Sequence, residues 1–262
     1  MKSLYIFLLA AVALLTGCDS VASDDRLIEV PAATVQRNVL IEDFTGQRCI
    51  YCPAATEAIT QLQTRYGDDK LIAVAIHAGP LSFKTMSGFT GLRTDVGDTY
   101  YKHWAVPNVP KAIINRRGGV FSKDAWAGRV YDEFARTTTV GIDLKCQYDA
   151  DKRRVEIETD LKTLSEDVQG RLQFWLVEDG VVAPQLFPGD ELDKEYTHNH
   201  VLRAAINGDW GTELTLTTKN VQKEKTTYTL PDGIVPGRAW VVAFFYNDSG
   251  VLQAVRQKIS LS

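Results

Sequence analysis

Cysteine is scarce. Four residues in 262 are too few for a disulfide scaffold, so each needs its own explanation. Excess positive charge is absent as well: 29 Lys and Arg stand against 33 Asp and Glu, with a pI near 5.6. That balance argues against nucleic acid as a partner. No apolar run approaches the roughly 20 residues that span a bilayer, which excludes a multi-span membrane chain. Internal repeats and extended low-complexity runs are missing too, which excludes solenoids and fibrous or mainly disordered chains. What remains is 45% apolar and 24% charged, an ordinary globular composition with room for one large domain or two smaller ones.

The N-terminus has the pattern of an export leader. Lys2 precedes twelve consecutive apolar residues, Leu4 to Leu15, too short to span a membrane but suited to the core of a secretory signal. It ends in Leu15-Thr16-Gly17-Cys18, which resembles the bacterial lipobox. That resemblance implies cleavage before Cys18 and its acylation, with palmitate among the chains. An ordinary signal with a stray cysteine is the plain alternative. At about 0.8 kcal/mol per buried methylene, two or three acyl chains make a durable anchor. The expected division is therefore 1–17 signal peptide and 18–36 acylated tether, followed by a body outside the cytoplasm, where disulfides persist.

Two regions of different character follow. Over 37–137 the expected order is strand 38–44, helix 53–66, an all-apolar strand 71–76, an irregular Gly/Ser/Thr-rich stretch 79–97 resembling a surface insertion, a short helix 98–104, a strand from Lys111 to Asn115, a hairpin turn at Arg116-Arg117-Gly118-Gly119 and a helix 122–136 capped by Ser122. Ala54, Ala58, Leu62 and Tyr66 recur at spacing four, with Ala55 and Ile59 beside them. Over 138–262 short alternating segments are punctuated by Asp-Gly, Asn-Gly and Pro-Asp-Gly signals, as in an antiparallel β-sandwich. Charge divides at the same place: 13 basic and 10 acidic residues over 37–137, 14 and 19 over 138–262. The predicted fold class is α/β followed by all-β, with a domain boundary near 138.

Cys49-Ile50-Tyr51-Cys52 lies between the first strand and the first helix. Unpaired amides and partial positive charge at a helix N-terminus stabilise a thiolate, and Arg48 acts in the same direction. Two intervening residues bring the sulfurs close enough for a small disulfide ring. An exposed Cys49 would attack and Cys52 would resolve. Pro53 suits the first helical turn. A single CxxC is also compatible with half a zinc site, an inert disulfide or a relic, although no second ligand pair follows at zinc spacing.

The segment IEDFTGQRCIYCP, in a strand–CxxC–helix–strand order, resembles the active-site region of thioredoxins. That resemblance covers about 37–137. It implies that Asp43, six residues before Cys49, is a buried acid accepting a proton during exchange. It further implies that Val106-Pro107-Asn108-Val109-Pro110 is the peptide-binding loop, with Pro110 cis and the Val109 backbone offered to a substrate. Thr45 and Arg48 stand where thioredoxins usually carry tryptophans, and Ile50-Tyr51 replaces Gly-Pro. The lipobox, VLIEDFTGQRCIYCP and YTHNHVLRAAINGDWG together resemble the Bacteroidetes outer-membrane lipoprotein family named for a twenty-eight-kilodalton outer membrane protein. Membership implies a thioredoxin-like domain followed by an immunoglobulin-like β-sandwich. One member of that family has been regarded as an adhesin.

Other chemistry-bearing residues have plainer readings. His198 and His200 would share a face of an extended strand, but no third ligand is in register, so no metal is expected. His77 ends a buried strand near the CxxC; His103 belongs on the surface. Alternation groups Cys146 with Ile142 and Leu144 as a small buried apolar residue. Phe174, Trp175, Trp240, Phe244, Phe245 and Tyr246 are expected in the sandwich core, with a carbohydrate-binding platform as the rival. Two functions compete: thiol–disulfide exchange on protein substrates or a redox partner, using Cys49, Cys52, Asp43, Val109 and Pro110 and no cofactor; and non-enzymatic surface binding through the β-rich region, with a structural CxxC. The expected location is the outer membrane, held by lipid on Cys18. Cys18→Ser is expected to abolish fatty-acid labelling and release the protein from membranes, read by metabolic labelling and fractionation.

Overall fold

The computed structural model describes residues 34–259. The signal peptide, Cys18 and the tether up to residue 33 lie outside the described residues. The end of the expected tether is pinned: Val35 and Gln36 pair antiparallel with Thr138 and Thr137.

Twelve longer strands and three helices build the fold. In the first half these are β1 (Val39–Thr45), α1 (Cys52–Tyr66), β2 (Leu71–His77), α2 (Asp95–His103), β3 (Lys111–Ile114), β4 (Arg117–Phe121) and α3 (Lys123–Phe134). The second half supplies β5 (Val140–Asp149), β6 (Arg154–Thr163), β7 (Val168–Glu178), β8 (Val201–Ala205), β9 (Thr212–Leu216), β10 (Gln222–Thr229), β11 (Ala239–Asn247) and β12 (Gly250–Lys258). A nine-stranded sheet runs β12-β11-β7-β8-β2-β1-β3-β4, with β9 also on β7. β1 and β2 are parallel, β8 joins β2 in parallel at Val201–Ala75, and the other ladders in this sheet are antiparallel. A second sheet has the order β10-β6-β5.

The expected boundary at 138 marks the change from α/β to strand-rich chain, but neither the sheet nor the core stops there. The described residues, 34–259, belong to one compact unit. Side-chain alternation accounts for the three larger of four apolar clusters among the described residues. Val39, Ile41, Leu71 and Ala73 pack under α1 and α3 with Ala55, Ile59, Trp126 and Val130. Their strand neighbours Leu40, Phe44, Ile72 and Val74 face the opposite way, onto Trp175, Val242 and Phe244 from the second half. The sheet therefore curls until its two ends meet: Asn38 Nδ2 donates to the Ala254 carbonyl at 2.8 Å, and the Val251 amide donates to the Asn115 carbonyl at 2.8 Å. Phe174 and Phe245 face outward from that curl onto β5 and β6. The aromatics expected in one core are thus divided between two, as a period of two requires. The three-stranded sheet has one face on this cluster and one in solvent, hence the alternating burial of β5, β6 and β10.

Several local expectations shift. The buried stripe of α1 is Cys52, Ala55, Ile59 and Gln63, whereas Ala54 is exposed. Gln63 tolerates burial because its Nε2 donates to the Leu71 carbonyl at 3.1 Å. The Thr94 hydroxyl accepts from the Gly97 amide and starts α2 at Asp95, earlier than expected. Ser122 holds the N-cap position of α3 without a capping hydrogen bond; its hydroxyl accepts from Lys111 Nζ. The hairpin turn is Asn115-Arg116, with φ of 47° and 53°, rather than the following diglycine. Asparagine readily adopts this left-handed geometry, and Arg116 is fixed in it by a buried ion pair.

That pair lies within the curl. Arg116 Nε is 2.8 Å from Glu42 Oε1, and both side chains are almost fully enclosed. Burial opposes the charge on Arg116, yet the Glu42 carboxylate outweighs it and raises the guanidinium pKa. Tyr246, Phe244 and Trp175 place their rings 4.4, 4.9 and 5.5 Å from the guanidinium carbon. Removing one partner strands the other in a low-dielectric interior. Glu42→Gln is expected to cost about 3–5 kcal/mol in urea unfolding, whereas Glu42→Leu with Arg116→Met recovers most of that loss.

Candidate functional site

The CxxC forms at the point where β1 hands the chain to α1. Thr45 ends the strand, the Cys49 amide donates to the Gly46 carbonyl at 3.0 Å, and the Cys52 amide donates to the Cys49 carbonyl at 3.1 Å. Cys52 is the first residue of α1 and Pro53 follows at a position that needs no donor. Cys49 and Cys52 are joined as a disulfide. Cys49 therefore sits in the turn before the helix, not within its first turn.

The expected exposure of Cys49 is not found. Cys49 and Cys52 are 3% and 2% exposed, while Tyr51 between them is 65% exposed. Two segments pack against this turn. From the first half, the 79–93 stretch lies against the turn: the Arg48 amide donates to the Leu81 carbonyl at 2.9 Å. This stretch is part of the site rather than a surface insertion. From the second half, the 181–198 excursion between β7 and β8 makes a ribbon from two short strand pairs, Val181–Val182 with Thr197–His198 and Gln185–Leu186 with Leu192–Asp193. Gln185 Nε2 donates to the Cys49 carbonyl at 3.0 Å, and the Leu186 amide donates to the Gln47 carbonyl at 2.8 Å. Gln47 binds both covers with its side chain. Nε2 donates to the carbonyls of Thr90 and Pro184, and Oε1 accepts from the Leu92 amide. Sequence reasoning missed Gln47 and Gln185; neither belongs to a motif, and their partners lie far along the chain.

Asp43 is 2% exposed and its Oδ1 has no hydrogen-bond partner among protein atoms. Burial raises its carboxyl pKa to about 7. Asp43 pairs with Ala75 across the parallel ladder and shares a face of β1 with Thr45. Ala75, Thr45 and Cys52 line one small cavity with His77, Tyr196 and His198. Asp43 is not itself in that lining, but burial raises the pKa of the Tyr196 hydroxyl there and the charge of Asp43 adds to the rise. Burial lowers the pKa of His77 well below normal and that of His198 to about 4, leaving both rings neutral. The two rings meet edge to face at 5.1 Å.

The Val109–Pro110 bond is cis. Lys111 pairs with Phe44, so Pro110 arrives beside Thr45, at the same end of β1 as the disulfide. The histidines of Thr197-His198-Asn199-His200 do not share a face. The chain leaves extended geometry at His200, φ 59°, whose Nδ1 lies 3.1 Å from Asp179 Oδ1 and whose Nε2 lies 3.2 Å from Gln63 Oε1. Among the described residues no cluster of three or more His, Cys, Asp or Glu residues could hold a metal. Cys146 is half-buried beside the sandwiched cluster, where burial raises its thiol pKa to about 12.

The Asp43 shift fixes a sign. Its native pKa exceeds the unfolded value near 4, so the native state holds an extra proton between those values and loses stability as pH rises from 4 to 7. His77 and His198 act oppositely over the acidic range, so the informative quantity is a difference. Asp43→Asn is expected to gain stability relative to the parent steadily from pH 4 to pH 7 and hold that gain above it, read from urea midpoints across pH.

A solved structure shares this architecture. The chain is similar to HBP35 of Porphyromonas gingivalis, at a TM-score of 0.68 and 18% identity over 86% of this chain and 76% of that one. That likeness shows a shared fold. A domain of the outer membrane lipoprotein Omp28 from Porphyromonas gingivalis aligns at a TM-score of 0.36 and 25% identity, covering 48% of this chain and 91% of that one. No curated protein matches the sequence. Among the described residues no helix is long and apolar enough to cross a membrane. Residues 97–262 match the family described as outer membrane protein Omp28, a stretch that takes in the cis-proline loop and the whole strand-rich half but not the disulfide. Because that match spans well over half of the sequence, the chain belongs to the Omp28 outer membrane protein family.

Proposed function

We propose that this is a lipid-anchored, extracytoplasmic outer-membrane protein whose Cys49–Cys52 couple performs thiol–disulfide exchange on protein substrates. The reading takes 37–137 as a thioredoxin-like part and 138–262 as an immunoglobulin-like sandwich that recruits partners, with Cys18 as the acylated residue. One observation carries it: Asp43, a buried carboxyl with an unpartnered oxygen and a pKa raised to about 7, pairs with Ala75 and acts on Tyr196, two residues of the small cavity that Cys52 lines. A purely structural disulfide has no use for such an acid, and unpaired burial of a polar group is costly.

In the reducing direction the Cys49 thiolate attacks one sulfur of a substrate disulfide and releases one substrate thiolate. The Cys52 thiol passes its proton to the Asp43 carboxylate, and its sulfur attacks Cys49. That step closes the Cys49–Cys52 disulfide and frees the second substrate sulfur, which takes the proton. Two electrons move from the dithiol to the substrate; the oxidising direction is the reverse. The covering ribbon must lift first, since neither sulfur is accessible beneath it.

A second reading rests on that same cover. A disulfide sealed on two sides suits a structural cross-link in a surface binding protein. The reduction potential separates the two: exchange requires a value above roughly −300 mV, and a structural cross-link lies below it. Under the exchange reading, Cys52→Ser accumulates mixed disulfides with client proteins on non-reducing gels, and Asp43→Asn slows release of the mixed disulfide. Gln185→Ala loosens the ribbon and speeds reduction by dithiothreitol several-fold. A low potential with no trapped client assigns the disulfide to structure.

A further inference from the structure

A second cavity lies away from the disulfide, where the β3–β4 turn, the C-terminal end of α2 and the edge of β9 converge. It encloses about 1000 Å³. Four aromatic rings line it: His103, Trp104, Trp210 and Tyr246. His103 is exposed and lies 4.4 Å from the Trp210 ring. The Tyr246 hydroxyl donates to the Trp210 carbonyl at 2.7 Å, which fixes the loop that carries this ring. Leu214 is the one aliphatic side chain in the lining, so the cavity does not suit a greasy ligand.

Charge narrows the choice further. Arg116 at the cavity is neutralised by Glu42, and Arg171 at its rim is paired with Glu213. Asp248 adds a carboxylate, and no unpaired cation of the lining is left for an anionic ligand. Two donors in the lining lack acceptors: Nη1 of Arg116, whose side chain is 3% exposed, and Nε1 of Trp104. Both atoms are screened from solvent, so they lie beneath the cavity wall and it is the ring faces that the cavity presents. Arg116 also holds a left-handed backbone, φ 53°, of the kind that persists where surrounding structure enforces it.

We infer that this cavity is a binding site for a neutral saccharide. Pyranose rings present C–H faces that stack on aromatic rings, and their hydroxyls both donate and accept. Glu213, Asp248 and Asn247 line the cavity as acceptors for those hydroxyls. The inference is independent of the disulfide chemistry, so Cys49→Ser leaves the binding unchanged.

The test is a glycan array probed with the full chain in detergent, followed by tryptophan-fluorescence titration with the neutral oligosaccharides retained. The array carries neutral, sialylated and sulfated glycans, with a lysine-rich peptide as a cationic control. Retention of neutral glycans is expected, with saturable change in emission. His103→Ala, at an exposed position, and Trp210→Ala are each expected to weaken binding at least about tenfold, while Trp210→Phe retains most of it. Thermal unfolding of each variant separates lost binding from lost fold. No retained neutral glycan, a preference for the anionic glycans or the cationic peptide, or binding unaffected in folded His103→Ala and Trp210→Phe with Trp210→Ala equally competent, overturns the inference.

Discussion

A two-residue turn holds the ends of the large sheet together. Asn115 receives the Val251 amide on its carbonyl, exchanges hydrogen bonds with Leu40 through its backbone and side chain, and donates from Nδ2 to Glu133 at 3.0 Å. Arg116 then drives its guanidinium into the interior and meets Glu42. One turn thus ties β1, α3 and β12 to each other and places a charge at the centre of the curl. Burial opposes a charge there, and the Glu42 carboxylate, with the ring faces of Tyr246, Phe244 and Trp175, offsets that cost. Those rings come from the second half of the chain and Glu42 from the first, so neither half completes this arrangement without the other.

That dependence shows why the sequence was legible in parts. The longer strands after 139 are marked off by turn residues, and β5, β6 and β10 also alternate in burial because each has one face on the core and one in water, whereas β7 and β11 are buried on both faces. The all-apolar β2 is equally clear, being covered on both faces. The position of the CxxC before α1 and the cis bond at Pro110 follow from local pattern and family likeness. The hairpin turn was misplaced because Gly118-Gly119 is the stronger local signal, whereas the enforcing contact for Arg116 is a residue 74 positions earlier. The buried stripe of α1 is rotated because Gln63, polar by composition, finds a carbonyl at the end of the helix–strand connection.

The covered state of the disulfide lay outside the reach of pattern for the same reason. Gln185 and Cys49 are 136 positions apart. Nothing in the period of either segment encodes their meeting; it arises because β8 enters the sheet beside β2 and brings the preceding ribbon with it. The same insertion makes Gln47 a buried clamp instead of an exposed loop residue. Local sequence identifies the chemistry at Cys49 and Cys52, and topology determines the access to it.

The insertion of β8 also imposes an order in time. Export delivers the chain from its N-terminus, so Cys49 and Cys52 emerge well before residues 181–198. Until that ribbon arrives, the two sulfurs stand open at the end of α1 and any oxidant outside the cytoplasm reaches them. Once Leu186 and Gln185 dock, the bond is enclosed. Chain order therefore gives the cysteines an interval before the last third of the protein folds over them, and after it any change of redox state waits on movement of the ribbon.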